Sequence, residues 1–251
     1  MTELPRLLIL GGTGEAASLA ETAHAQFSGR LDVIYSLAGR IKPVRELKAT
    51  VRVGGFGGGA GLADYIKNEN IKLLIDATHP FAKNISANAY DACLATDIPR
   101  LTLTRPPWDL PPGAKYLEAD DMAHAARILP DFAKRVLVTT GQSNLDELKE
   151  LPDIHFFIRV IEEPDEKPAL ENYTFITGRP PFTMDDELDL MEEHAIDALL
   201  TKQSGGKATV AKIIAAIRQN IPVVLIRRPL PEPGEHVESV DDALMWLEQK
   251  L

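Results

Sequence analysis

The sequence predicts an α/β protein of two domains, each a parallel sheet covered by helices. Three observations carry this. Short apolar runs alternate with helical segments along the whole 251-residue chain, the pattern of strands joined by helical crossovers. The first run, Leu7 to Leu10, breaks into glycines and then into an alanine-rich segment, which reads as strand, tight turn and helix. A proline-rich piece, Arg105-Pro106-Pro107-Trp108-Asp109-Leu110-Pro111-Pro112-Gly113, can continue neither a helix nor a central strand. It divides the chain into domains at 1–107 and 108–251.

Taken in order, the strand Leu7 to Leu10 is followed by a helix from Gly14, then by Leu31 to Leu37, a short segment near Val44 to Leu47, and Val51 to Val53. A glycine cluster, Gly54-Gly55-Phe56-Gly57-Gly58-Gly59, opens a helix around Leu62 to Asn68. Lys72 to Asp76 is a strand, Ile85 to Ala95 a helix and Arg100 to Thr104 a strand. After the linker, strands are predicted near Lys115 to Leu117, Val136 to Thr140, Phe156 to Val160, Ala198 to Thr201 and Val223 to Ile226, with a closing helix from Val240. Glu162 to Lys167 is charged and interrupted by proline, as in a surface loop.

Composition narrows the function. Against 27 Lys+Arg stand 37 Asp+Glu, a formal charge of −10, which disfavours nonspecific attraction to nucleic acid or to an anionic membrane. An anionic ligand must therefore meet a local cluster of cations. The single cysteine, Cys93, falls in a helical segment and reads as core filler of a reduced compartment. No apolar run approaches spanning length, the start lacks a secretion signal, and the six histidines are scattered without metal-ligand spacing. The expectation is a cytoplasmic protein with no metal.

The chemistry is expected at the carboxyl ends of the strands, where open parallel sheets collect ligands. Gly12, Gly14 and Ala17 fit the G-x-G-x-x-G/A turn, in which backbone approaches a pyrophosphate and helix N–H groups face an anion. Ser36-Leu37-Ala38-Gly39-Arg40 ends the second strand with no acid and one cation, which favours NADP over NAD. Asp76-Ala77-Thr78-His79 brings a carboxylate, a hydroxyl and an imidazole to the same mouth, and His79 is an acid–base candidate.

Three strands end in an Arg-Pro step, at Arg105, Arg179 and Arg228. Arg159 follows another apolar run, and Lys202 to Lys207 joins two cations to a glycine turn. Converging on one crevice, such groups suit a ligand with many carboxylates. Thr139 to Asn144 reads as a capped strand-to-helix turn and a second anion cradle. The stretch around Lys207 lacks the glycine and the Ser/Thr of a nucleotide-triphosphate loop. No Tyr-x-x-x-Lys occurs, which counts against a short-chain or sugar-nucleotide oxidoreductase.

Together Gly11-Gly12-Thr13-Gly14-Glu15-Ala16, Ser36 to Arg40, Gly54 to Gly58, Asp76 to Ala82, Thr177-Gly178-Arg179-Pro180-Pro181-Phe182 and Lys202-Gln203-Ser204-Gly205-Gly206 resemble the precorrin-6A reductase family of cobalamin biosynthesis. The resemblance implies two Rossmann-like domains that exchange terminal strands between their sheets. It also implies NADPH-dependent reduction of a polycarboxylate tetrapyrrole, precorrin-6A to precorrin-6B, with transient hand-over to other enzymes of the pathway. Cofactor contacts would fall on Gly11, Gly12, Thr13, Gly14, Glu15, Ser36, Arg40, Gly57 and Thr78. The acid arms of the substrate would meet Arg159, Arg179, Lys202, Ser204, Gly205, Gly206, Lys207 and Arg228. The alternatives are a cobalt-precorrin-6A reductase and a non-catalytic NADP-binding sensor.

Overall fold

The computed structural model describes residues 4–39, 48–111 and 113–251 of the chain. Arg40 and the segment at Val44 to Leu47 lie outside the described residues, as does the side chain of Lys207. Two compact units emerge, one made of Met1–Pro106 with Pro229–Leu251 and the other of Pro107–Arg228.

The first unit runs β1 (Arg6–Leu10), α1 (Gly14–Gln26), β2 (Asp32–Leu37), β3 (Thr50–Val53), α2 (Gly58–Asn68), β4 (Ile71–Asp76), α3 (Lys83–Thr96) and β5 (Arg100–Leu103). The second runs β6 (Tyr116–Ala119), α4 (Met122–Ile128), β7 (Arg135–Val138), β8 (His155–Val160), β9 (Tyr173–Thr177), α5 (Met184–Glu193), β10 (Ala198–Lys202), α6 (Ala211–Arg218) and β11 (Val223–Ile226). The chain then returns to the first unit as β12 (Glu235–Val237) and α7 (Val240–Lys250).

Among the described residues each sheet has six strands, ordered β12-β5-β4-β1-β2-β3 and β6-β11-β10-β7-β8-β9, and every pairing is parallel. Counted from their own first strands, β1 and β7, the two sheets have one topology, the doubly wound order of a Rossmann sheet. The sixth strands are exchanged. β6 follows β5 in the chain yet pairs with β11, while β12 follows β11 and pairs with β5. The second domain expected at 108–251 therefore ends at Arg228. The physical reason is the β12 register, Glu235 to Val237 on Leu101 to Leu103, together with the apolar face of α7.

Packing follows the strand period. In the first sheet Leu7, Ile9, Val33, Tyr35 and Ile75 face α1 and α7, where Leu19, Ala20, Leu244 and Leu247 cover them. Leu8, Leu10, Ile34 and Leu74 face Leu62 and Ile66 of α2 and Ala89, Ala92 and Cys93 of α3. Burial pushes the Cys93 thiol up to about 12, so it is an inert core group. Arg100 anchors the returning segment, donating to Thr102 Oγ1 at 2.8 Å and to the Pro233 carbonyl. In the second sheet Leu137, Phe157, Leu199 and Leu225 pack against Met191, Ile213 and Ala216 of α5 and α6. Among the described residues no helix is long and apolar enough to cross a membrane.

Candidate active site

Strand order reverses between β1 and β4 in the first unit, and that switch point is where an open α/β sheet binds its ligand. The turn after β1 is built around Tyr35. A Cβ on Gly11 would lie 2.2 Å from the Tyr35 ring, so only glycine lets the ring stand there. The Tyr35 hydroxyl accepts from the Gly12 N–H at 3.1 Å. Burial raises the phenol pKa against the opposing effect of this bond. Gly12 sits at φ +114, a conformation that favours glycine, with nothing within 4 Å of where its Cβ would be.

Thr13 caps α1. Its Oγ1 accepts from the Ala16 N–H at 3.1 Å and donates to the Ala77 carbonyl at 2.8 Å, joining the two lips of the switch point. The N–H groups of Gly14 and Glu15 precede any helical acceptor. With no side chain at Gly12 or Gly14 the approach to them is open, and the turn fits the pyrophosphate of a dinucleotide. The Glu15 carboxylate would repel such an anion; it is engaged by Arg105 at 3.0 Å. On the other lip Thr78 donates to Asp76 Oδ1 from its N–H at 3.1 Å and its hydroxyl at 2.7 Å. Asp76 is buried and its Oδ2 has no hydrogen-bond partner among the described residues. His79 Nδ1 accepts from the Phe81 N–H at 3.2 Å, which leaves the ring proton on Nε2.

At the outer end of this sheet the register sets Ser36 of β2 beside Arg52 of β3. Arg52 donates to Ser36 Oγ at 3.3 Å and to the Gly54 and Gly55 carbonyls, the latter at 2.8 Å. Its guanidinium lies 3.8 Å from the Phe56 ring centre. Gly57 caps α2 at φ +81 without a side-chain bond.

The second unit has its own switch point between β7 and β10. There Lys202 Nζ donates to the Thr140 carbonyl at 2.9 Å, closing that crevice much as Thr13 closes the first. Burial lowers the pKa of this ammonium. Ser204 is buried and donates to the Lys202 carbonyl at 3.1 Å, and Arg228 Nε donates to the Gln203 carbonyl at 2.6 Å. Gly205 and Gly206 follow, both at positive φ. Trp108 Nε1 donates to the Gly206 carbonyl at 2.7 Å. Thus Lys202, Ser204, Gly205, Gly206 and Arg228 come together at the heads of β10 and β11.

The other expected cations do not join that group. Arg179 is exposed and pairs with Glu162 on the surface. Arg159 is buried in a bidentate pair with Glu187, both bonds 2.7 Å, over the Phe182 ring. Beside this pair Lys212 is buried, 5.6 Å from the Trp108 ring centre. The readings from sequence passed over Tyr35, Arg52, Glu187 and Lys212. Only Tyr35 and Arg52 carried a signal, as polar groups on strands that end at the glycine turns.

Two identically ordered parallel sheets with a glycine turn at the first switch point define a doubly wound α/β protein of Rossmann type. The chain belongs to the family described as Precorrin-6x reductase CbiJ/CobK, whose model matches residues 6–248. It is 44% identical over 245 residues to a protein of Rhodococcus erythropolis named precorrin-6A reductase, covering 97% of this chain and 98% of that one. A solved structure titled CobK precorrin-6A reductase superposes with a TM-score of 0.90 at 34% identity, covering 98% of this chain and 97% of the other. A protein of Priestia megaterium named cobalt-precorrin-6A reductase is 25% identical, covering 95% of this chain and 96% of that one.

Proposed function

We propose that the protein is a precorrin-6A reductase, which takes NADPH and reduces one carbon–carbon double bond of the macrocycle to give precorrin-6B in cobalamin biosynthesis. The near-full-length likeness to the Rhodococcus protein of that name carries the reading. When bound, the nicotinamide supplies a hydride, and one proton from the protein or solvent completes the reduction. Gly11, Gly12, Thr13 and Gly14 position the cofactor phosphates, and Arg105 keeps Glu15 from repelling them. Lys202 and Arg228, with Ser204, Gly205 and Gly206, hold acid arms of the substrate. Arg159, Arg179 and Lys207 are assigned to the same task. His79 is the proposed proton donor, through Nε2.

The higher identity to the precorrin-6A than to the cobalt-precorrin-6A relative, 44% against 25%, favours a metal-free ring. We place the enzyme in the cytoplasm, where it would receive and pass on its substrate among other enzymes of the pathway. Mixing enzyme with NADPH and precorrin-6A tests the proposal through the absorbance of cofactor and macrocycle. Coupled loss of NADPH and change of the ring spectrum is expected, faster than with a cobalt-loaded ring; no turnover of either ring refutes it. His79→Asn is expected to lower kcat by about 10²-fold, and an unchanged kcat would take the proton from elsewhere.

A further inference from the structure

We propose that Arg52 reads the 2′-phosphate of the cofactor, and so sets its preference for NADPH over NADH. The inference rests on the reductase reading above and deepens it. In a doubly wound sheet the adenosine ribose lies at the carboxyl end of the second strand, where an acid holds a free 2′-hydroxyl and a cation accommodates a 2′-phosphate. Here β2 ends in Ser36-Leu37-Ala38-Gly39, with no acid. The register puts Arg52 next to Ser36, and the two side chains are hydrogen-bonded at 3.3 Å.

The charge of Arg52 is held in place but not neutralised. Arg6, Arg105 and Arg159 each face a carboxylate, whereas Arg52 bonds a hydroxyl and two backbone carbonyls and has no carboxylate partner among the described residues. Those bonds occupy both N–H groups of Nη1 and one of Nη2. The Nε–H and the second Nη2–H are left without an acceptor among the described residues, and two donors of one guanidinium are what a phosphate takes in a bidentate contact.

The Phe56 and Tyr65 rings, 3.8 and 4.9 Å from the guanidinium carbon, fix its plane. An arginine already ordered in this way loses little freedom when an anion arrives. The chain has a net charge of −10, so a half-buried cation without a counter-ion at this end of the sheet is a local site for negative charge.

The test measures kcat/KM with NADPH and with NADH, and equilibrium binding of 2′,5′-ADP and 5′-ADP, for the full chain, Arg52→Gln and Arg52→Lys. Arg52→Gln is expected to weaken NADPH use and 2′,5′-ADP binding about 10- to 100-fold, the range for a charge-assisted hydrogen bond. NADH and 5′-ADP should change far less, and Arg52→Lys should recover part of the loss. Equal losses for phosphorylated and unphosphorylated ligands would reduce Arg52 to a clamp on the glycine loop and overturn the proposal, as would no loss at all. If the wild-type chain turns over no tetrapyrrole, the reductase reading fails. The two ADP titrations still decide the role of Arg52.

Discussion

Lys212→Met should make the second unit more stable, and by an amount that depends on pH. Lys212 is buried in the first turn of α6, near the Trp108 ring and the Arg159–Glu187 pair. Burial, assisted by the Arg159 charge and opposed by Glu187, lowers its pKa from 10.5 to about 8. The folded chain thus binds fewer protons here than the unfolded one between those values, and stability rises with pH across that window. Below pH 8 the full cost applies, about 3 kcal/mol for a displacement of this size. At pH 9.5 about 1 kcal/mol remains, and none above the unfolded pKa.

Methionine keeps the length of the side chain and carries no charge to desolvate. At pH 7 the variant should therefore gain about 2–3 kcal/mol, shrinking to about 1 kcal/mol at pH 9.5. Urea unfolding at both pH values, followed by the fluorescence of Trp108 in a Trp246→Phe background, reads the second unit. A variant less stable than its parent, or a gain equal at both pH values, would refute the argument. In the first case the ammonium is better solvated than its burial implies; in the second, packing and not charge carries the difference.

Glu187→Gln leaves Arg159 and Lys212 buried without a counter-charge, and a loss of about 3–5 kcal/mol in the same unfolding assay is expected. Gly11→Ala drives a methyl into the Tyr35 ring and breaks the Gly12 N–H bond to its hydroxyl. About 1–3 kcal/mol of stability should go, with a rise in KM for NADPH, and Tyr35→Phe should show a smaller version of the same KM effect. Residues 1–106 alone lack β12 and α7, and with them Trp246 and Leu247, each contributing about 1.5–3 kcal/mol on burial. That fragment should show no cooperative melt by circular dichroism, whereas 1–106 joined by a short linker to 229–251 should melt cooperatively.

How much of this was legible in the sequence depended on how local each signal is. The strands and helices of the first half and the turn at Gly11 to Gly14 were readable because the alternation of apolar runs and the glycine positions lie within a few residues of one another. β12 was not. It is three residues long, Glu235 and His236 are exposed, and prolines precede it. What makes it a strand is a partner, Leu101 to Leu103, more than 130 residues earlier. The domain boundary failed for the same reason, since the proline-rich linker marks where the chain leaves the first unit and says nothing of where it comes back.

The cations show the same limit at the level of side chains. Three arginines followed by proline gave one pattern in sequence and three environments in the fold. Arg105 neutralises Glu15 beside the first glycine turn, Arg179 pairs with Glu162 in solvent, and Arg228 reaches the Gln203 carbonyl. Proline fixes where a strand stops but not which carboxylate a neighbouring element will bring. The charges that matter for an anion are those left over once such pairs have formed. Arg52 escaped that count because its partners are backbone carbonyls and aromatic faces, which no pattern of cations at strand ends reveals. An acidic chain that binds a polyanion must keep a few guanidinium or ammonium groups away from its own carboxylates. Among the described residues Arg52, bonded to backbone carbonyls at the head of the first sheet, is held that way.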